Sequence, residues 1–270
     1  MVIYLMNLLC DLNPIIQALI AGSFTFLITT LGSGVVFFFK DLNKYIMDSM
    51  LSISAGIMMS ASFFSLLLPA MELSNKVYST PWLILFIGFF TGGFLLYLGD
   101  KILDYFFIKK ETTKKLSFKR CIMLFVSITL HNIPEGLVVG VAFSAAFNGL
   151  DNSSFISALT LTLGIAIQNF PEGSAISIPL RRDGLSRKKA FLFGTLSGIV
   201  EPIFAMFGAF LVIKIQTLLP FIMSFTAGAM IFVICMELIP ESQTGPKKGL
   251  MTLFLLLGFS IMMILELTLG

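Results

Sequence analysis

The sequence is poor in the residues that most soluble proteins use for chemistry. It has one histidine, one tryptophan and three cysteines in 270 residues, and only 12 % of its residues are charged. Cys10, Cys121 and Cys235 form no Cys-x-x-Cys pair, which argues against a disulfide framework and a thiolate metal cluster. A single histidine excludes the His-Glu-x-x-His signature of metallohydrolases. The charge fraction is about half that of a soluble domain. Together with 57 % hydrophobic residues and a mean hydropathy of +0.96, it excludes a water-facing surface over most of the chain. The net charge of +3 is small, so no nucleic-acid partner is expected, and the placement of the charges matters more than their sum. No basic residue precedes Leu8-Leu9-Cys10, so the charged start of a secretory leader is missing there and cleavage at Cys10 is not expected.

What is present is a series of apolar blocks, each long enough to cross a ~30 Å hydrocarbon core, which takes about 20 helical residues. Lipid offers backbone groups no hydrogen bonds, so only helices or closed barrels can span it. The blocks show no strict alternation, which selects helices. The reading is an all-α membrane protein with the lipid bilayer as its solvent, a single transmembrane transporter domain over residues 1–270. Eight transmembrane helices are expected, at Pro14–Phe38, Tyr45–Met71, Trp82–Phe106, Cys121–Phe147, Phe155–Leu180, Ala190–Ile213, Leu219–Ile239 and Gly249–Leu269. Blocks 4, 5 and 6 are rich in Gly, Ala, Ser and Thr, which let helix backbones approach closely, and are expected to be innermost.

Basic residues orient the set. Lys40 and Lys44 follow block 1, and Lys101, Lys109, Lys110, Lys114, Lys115, Lys119 and Arg120 surround the link after block 3. Arg181, Arg182, Arg187, Lys188 and Lys189 follow block 5, and Lys247 and Lys248 follow block 7. Only Lys76 and Lys214 fall on the other side. The positive-inside rule makes the odd-numbered links cytoplasmic, including a basic loop at 109–120 that reads as a topology determinant. Both termini are then extracytoplasmic, which requires an even number of spans. The expected location is the cell (inner) membrane.

The chain also repeats itself. Asn-x-Pro-Glu-Gly occurs at Asn132–Gly136 and at Asn169–Gly173. Ala55-Gly56-Ile57-Met58 is echoed by Ala227-Gly228-Ala229-Met230, each followed by a proline, Pro69 and Pro240. Blocks 2 and 7 thus look related, as do 4 and 5. The pattern predicts a 3+2+3 arrangement, with inverted repeats in spans 1–3 and 6–8 around a helix 4–5 pair, a transporter signature.

The chemistry concentrates at the paired motifs. His131 and Glu135 lie one helical turn apart in block 4, and Gln168 and Glu172 repeat the spacing in block 5. Asn132 and Asn169 lie close to the same faces. An ionisable group at the bilayer centre costs ~2.5–3.5 kcal/mol on insertion scales, so two facing carboxylates call for a cation between them. Pro134 and Pro171 have no N–H, which frees the carbonyls of Leu130 and Ile167. Imidazole, carboxylate and amide donors suit first-row divalent ions better than Ca²⁺ or Mg²⁺. Glu201, beside Pro202 in block 6, is a third mid-membrane carboxylate. Glu237 and Asp100, near cytoplasmic ends, and Met59 are candidates for an exit pathway.

Bland readings compete with each of these. A lone buried histidine is usually a hydrogen-bonding core residue, and here the repeated i, i+4 partner tips the balance to a ligand. Glu201 could be a packing acid bonded to a hydroxyl. Asp104, Glu72 and Glu241 read as interfacial, Met58 as packing, and Pro220 as a kink.

On these residues the chain resembles the ZIP family (Zrt-, Irt-like proteins), particularly its bacterial GufA-type branch. The resemblance rests on His131–Gly136, Gln168–Gly173, the stretch Pro179–Ser186, Gly198–Pro202 and Glu237–Ser242. It implies an eight-helix fold, a two-metal centre between spans 4, 5 and 6, and a homodimer. By motif position one ion would take His131, Glu135, Gln168 and Glu172. The other would take Asn132, Glu135, Asn169, Glu172 and Glu201. Some relatives carry His where Gln168 or Met236 stands, and Asp where Asn169 stands, so the two positions are expected to be unequal. The expected function is transport of Zn²⁺, or of Fe²⁺, Mn²⁺ or Cd²⁺, into the cytoplasm. The metal is cargo, no cofactor is expected, and the protein is not expected to be an enzyme. The alternatives are an intramembrane two-metal hydrolase and a metal-ion channel.

Overall fold

The computed structural model describes the backbone of residues 10, 12–39, 43–108, 113–149, 154–182, 184–214 and 216–269. The side chains of some of these, Asp100, Asp104 and His131 among them, lie outside the description. The described chain is helical throughout, and no strand occurs among the described residues.

Helix α1 covers Pro14–Gly34 and is prolonged by a 3-10 turn at Val35–Phe37. Its start is set by Asn13, whose side-chain oxygen accepts from the Ile15 N–H at 2.9 Å, with proline at the first helical position. Helix α2, Lys44–Val77, opens on the same device, with the Asn43 side chain accepting from the Tyr45 N–H at 2.9 Å. Helix α3 is Pro81–Ile108, α4 is Thr113–Phe147 and α5 is Phe155–Arg182. Helix α6 has two pieces, Arg187–Gly198 and Val200–Lys214. It breaks where Pro202 cannot donate to the carbonyl of Gly198. Helix α7 is Leu219–Ser242, and α8 is Lys248–Leu269.

Two helices change pitch inside the bundle. In α2 residues Ser62–Leu67 form a π-helical segment, and in α7 residues Ile234–Leu238 do the same. Each lies just before a proline, Pro69 or Pro240, whose ring would clash with the carbonyl four residues back in a regular helix. The wider turn relieves that clash. Ser62 and Ile234 each come seven residues after the alanine of the repeated Ala-Gly-x-Met.

Among the described residues, seven helices are long and apolar enough to cross a membrane, where eight spans were expected. Helix α5 is not among them. At 28 residues it reaches about 42 Å, so length is not the reason. Its composition is: Thr160, Thr162, Gln168, Asn169, Glu172, Ser174 and Ser177 are all buried polar residues. Their side chains are turned into the protein, and they lower the mean hydropathy of the helix. A second difference concerns the basic loop at 109–120. Helix α4 already begins at Thr113, so residues 113–120 are helical. Residues 109–112 lie outside the described set.

The principal packing pairs are α4 with α6, α1 with α5, α3 with α7 and α2 with α8, and α1 also packs along α6. Glycines make these contacts close. Gly228 on α7 lies against the Phe89 carbonyl of α3, and Gly56 on α2 lies against the Leu255 carbonyl of α8. Exchanging α1 with α6, α2 with α7, α3 with α8 and α4 with α5 maps these pairs onto one another. Helices α1, α4, α5 and α6 form one group, and the candidate site residues of α4, α5 and α6 all belong to it.

Candidate metal centre

Helices α4 and α5 each carry one Asn-x-Pro-Glu-Gly motif, with Pro134 and Pro171 inside the helices. The glycine of each motif is a contact point. Gly136 on α4 rests on the backbone of Glu201 in α6, and Gly173 on α5 rests on the Thr29 carbonyl in α1. A side chain at either glycine would push the neighbouring helix away. The two motifs are therefore clamped between α6 and α1.

The expected ligands Asn132, Glu135, Gln168, Asn169, Glu172 and Glu201 are all buried, four of them at 0 % exposure. They are knitted together across helices. Gln168 Nε2 donates to Glu135 Oε1 at 2.9 Å, and Asn169 Nδ2 donates to Glu201 Oε2 at 2.8 Å. Asn132 Nδ2 donates to the Ser197 carbonyl at 2.9 Å. The other oxygen of Glu201, Oε1, accepts from the Thr29 hydroxyl at 2.9 Å. His131 lies on α4 one turn before Glu135, and its side chain is outside the described residues.

These bonds leave a specific remainder. Asn132 Oδ1, Glu135 Oε2, Gln168 Oε1, Asn169 Oδ1 and Glu172 Oε1 are buried and have no hydrogen-bond partner among the described residues. All three amides spend their nitrogen and keep their oxygen open. Turning any of the three over would set its oxygen against a carboxylate or carbonyl oxygen, so the network itself assigns the orientation. An unsatisfied buried polar group costs about 1–3 kcal/mol, more if charged. Five of them on the two paired motifs form a donor set that accepts a cation and rejects an anion.

Counting only His, Cys, Asp and Glu, no group of three among the described residues is placed to hold an ion. The reason is visible in the donor set. Three of the five open oxygens belong to Asn and Gln, and both oxygens of Glu201 are engaged.

The remaining expected residues are more scattered. Glu237 sits half-buried in the π segment of α7. Met59 is half-buried beside the fully buried Met58. Asp100 lies on α3 with its side chain outside the described set. A cavity of about 180 Å³ is lined by Ser65, Glu72, Glu266, Val138, Leu161 and Met223, among others. Val138 is three residues past Glu135, about 4.5 Å along the helix axis. Glu72 is part of the same lining.

Sequence reasoning missed Thr29, Ser54 and the Ser197 carbonyl. Ser54 of α2 donates to the Gln168 carbonyl at 3.1 Å, tying that helix to the centre. A signal for Thr29 was present: Thr25, Thr29 and Ser33 recur every four residues on α1 and are all buried.

Residues 110–266 match the family model described as ZIP zinc transporter. The chain is 32 % identical over 332 residues to zinc transporter ZIP11 of Xenopus tropicalis, covering 96 % of this chain and 98 % of that one. It is 32 % identical over 261 residues to zinc transporter GufA of Myxococcus xanthus, at 95 % and 98 % coverage. It is 33 % identical over 261 residues to zinc transporter ZIPB of Bordetella bronchiseptica, at 94 % and 81 % coverage. The chain belongs to the ZIP family and is a multi-pass membrane protein.

Proposed function

We propose that the protein carries divalent transition-metal ions, Zn²⁺ first, across the cell membrane into the cytoplasm. The observation that carries this reading is the set of five open, buried oxygens on the paired motifs. The names of the relatives, all zinc transporters, support the choice of ion. His131, Glu135, Gln168 and Glu172 would hold one ion. Asn132, Glu135, Asn169, Glu172 and Glu201 would hold a second, with the two glutamates shared. Mixed amide and carboxylate donors bind more weakly than four strong ligands, as release on the far side requires. Beyond the centre, Glu237 in the π segment of α7 offers a next position toward the cytoplasm, with Asp100 and Met59 further candidates.

The transport model rests on eight spans in a 3+2+3 inverted repeat. The interchangeable packing pairs, the matched π segments and the matched glycine contacts at Gly136 and Gly173 support it. In it α5 crosses the membrane with its polar residues inward, and the α1, α4, α5, α6 group moves against the other four helices. Asn148, just past the end of α4, and Lys188, in the first turn of α6, are exposed and flank α5 in the chain. In a background lacking Cys10, Cys121 and Cys235, Asn148→Cys is expected to react with an impermeant maleimide on intact cells. Lys188→Cys is expected to react only after permeabilisation. Reaction of both from the same side would remove α5 as a span.

The transport reading itself is tested with purified protein in liposomes, following zinc uptake against competing Fe²⁺, Mn²⁺ and Cd²⁺. Saturable uptake that slows as the outer solution is acidified is expected, since the ligands must be deprotonated to bind. Uptake that never saturates would favour a channel. Metal-dependent turnover of a peptide or lipid without uptake would favour a hydrolase. The homodimer comes from the family resemblance alone, and cross-linking in the bilayer tests it.

A further inference from the structure

We infer that Thr29, on α1, is a positioning residue for the candidate metal centre. Its hydroxyl fixes Glu201, Glu201 fixes the amide of Asn169, and Asn169 is thereby held with its carbonyl oxygen open. The inference rests on the centre proposed above and adds to it a residue from a helix that carries none of the motifs.

The chain of contacts is direct. Thr29 Oγ1 stands 2.9 Å from Glu201 Oε1, and Asn169 Nδ2 stands 2.8 Å from Glu201 Oε2. Asn169 has its second amide atom, Oδ1, buried and without a partner among the described residues. Glu201 and Asn169 are at 0 % exposure and Thr29 at 1 %, so water does not compete for these bonds. A buried threonine in a helix usually bonds the carbonyl four residues back, and Thr29 does lie 3.2 Å from the Thr25 carbonyl. The hydroxyl has one proton. The carboxylate is both nearer and the stronger acceptor, since bonds to ionised acceptors are roughly twice as strong as neutral ones. The proton therefore goes to Glu201. Thr25, one turn earlier, gives its hydroxyl to the Gly22 carbonyl at 3.0 Å.

Space restricts the pair further. A Cβ at Gly198 would stand 2.9 Å from Glu201 Oε1 and 3.1 Å from Thr29 Cγ2. Glycine at 198 thus lets α6 approach α1 until the two side chains meet. The position is also distinctive within the repeat. Gly136 of the first motif rests on Glu201, and Gly173 of the second rests on Thr29. Thr29 is therefore the α1 counterpart of Glu201 on α6. One half of the clamp supplies a carboxylate, and the other supplies the hydroxyl that holds it.

With one oxygen of Glu201 held by Thr29 and the other bonded to Asn169, the Thr29 hydroxyl sets the position from which Glu201 orients Asn169. Loss of outer-layer partners typically costs about 10–100-fold in metal affinity or activity. Thr29→Val keeps the shape and removes the hydroxyl. It is expected to raise the KM for zinc uptake in proteoliposomes about 10-fold or more, with a smaller change in maximal rate. Thr29→Ser is expected to restore the KM to within about twofold of the parent. Thr29→Val added to Asn169→Ala should change KM no further, because the chain of contacts is already cut. A parental KM for Thr29→Val, an equal defect in Thr29→Ser, or full additivity with Asn169→Ala would each overturn the inference. If Thr29→Val does not yield folded protein, Thr29→Ala carries the same comparison. Glu172→Ala, run in parallel, separates the two levels. If it transports normally, the centre itself is misassigned; if it is inactive while Thr29→Val is normal, only the positioning role fails.

Discussion

Glu172→Ala is expected to abolish measurable zinc uptake in proteoliposomes while leaving the metal-free protein folded. The two halves of that result have separate causes. Glu172 is shared by both proposed ion positions, and removing one partner of a buried charge pair costs about 3–5 kcal/mol, on the order of 10²–10³-fold in affinity. In the absence of metal the same carboxylate is a liability. Its Oε1 is buried and has no hydrogen-bond partner among the described residues. Alanine removes that buried polar group, so the thermal midpoint of the metal-free variant in detergent should equal or exceed that of the parent. Zinc should no longer raise it. Stabilisation of the variant by zinc equal to that of the parent would show that the ion binds elsewhere.

Glu135→Ala should match that loss of transport and differ in stability. Glu135 Oε2 is open, but Oε1 accepts from Gln168 Nε2 at 2.9 Å. Truncation leaves the buried amide nitrogen of Gln168 without a partner, a cost of about 1–3 kcal/mol. Uptake should fall on the order of 10²–10³-fold, and the metal-free midpoint should drop, in contrast to Glu172→Ala. Thermal unfolding of both variants with and without zinc checks the pair. Equal midpoints in the metal-free state would mean that the Gln168 bond contributes nothing to stability. The contrast follows from bonding, because the two glutamates hold equivalent places in the repeated motif.

Much of this centre was legible in the sequence. The i, i+4 spacing put Glu135 one turn from His131 and Glu172 one turn from Gln168, and helix geometry is local enough for that inference to hold. Helix number was harder. Hydropathy treats each polar residue as a cost, and it discounts α5 because seven buried polar side chains lie along it. The start of α4 at Thr113 was also missed, since basic residues read as loop although lysine and arginine are good helix formers. Glu201 was legible as a mid-membrane acid. Its bonds to Thr29 and Asn169 were not, because the partners lie 172 and 32 residues away in the chain.

The division has one physical basis. A lipid solvent forces backbone hydrogen bonds to close within a few residues, so the sequence alone determined that the chain is helical, apolar outside and acidic at two repeated motifs. Side-chain hydrogen bonds obey no such local rule. Which nitrogen of each amide is spent, which oxygens stay open to a cation, and that a hydroxyl on α1 holds the carboxylate of α6 depend on helices brought together by glycine contacts. Those facts only the tertiary structure decided.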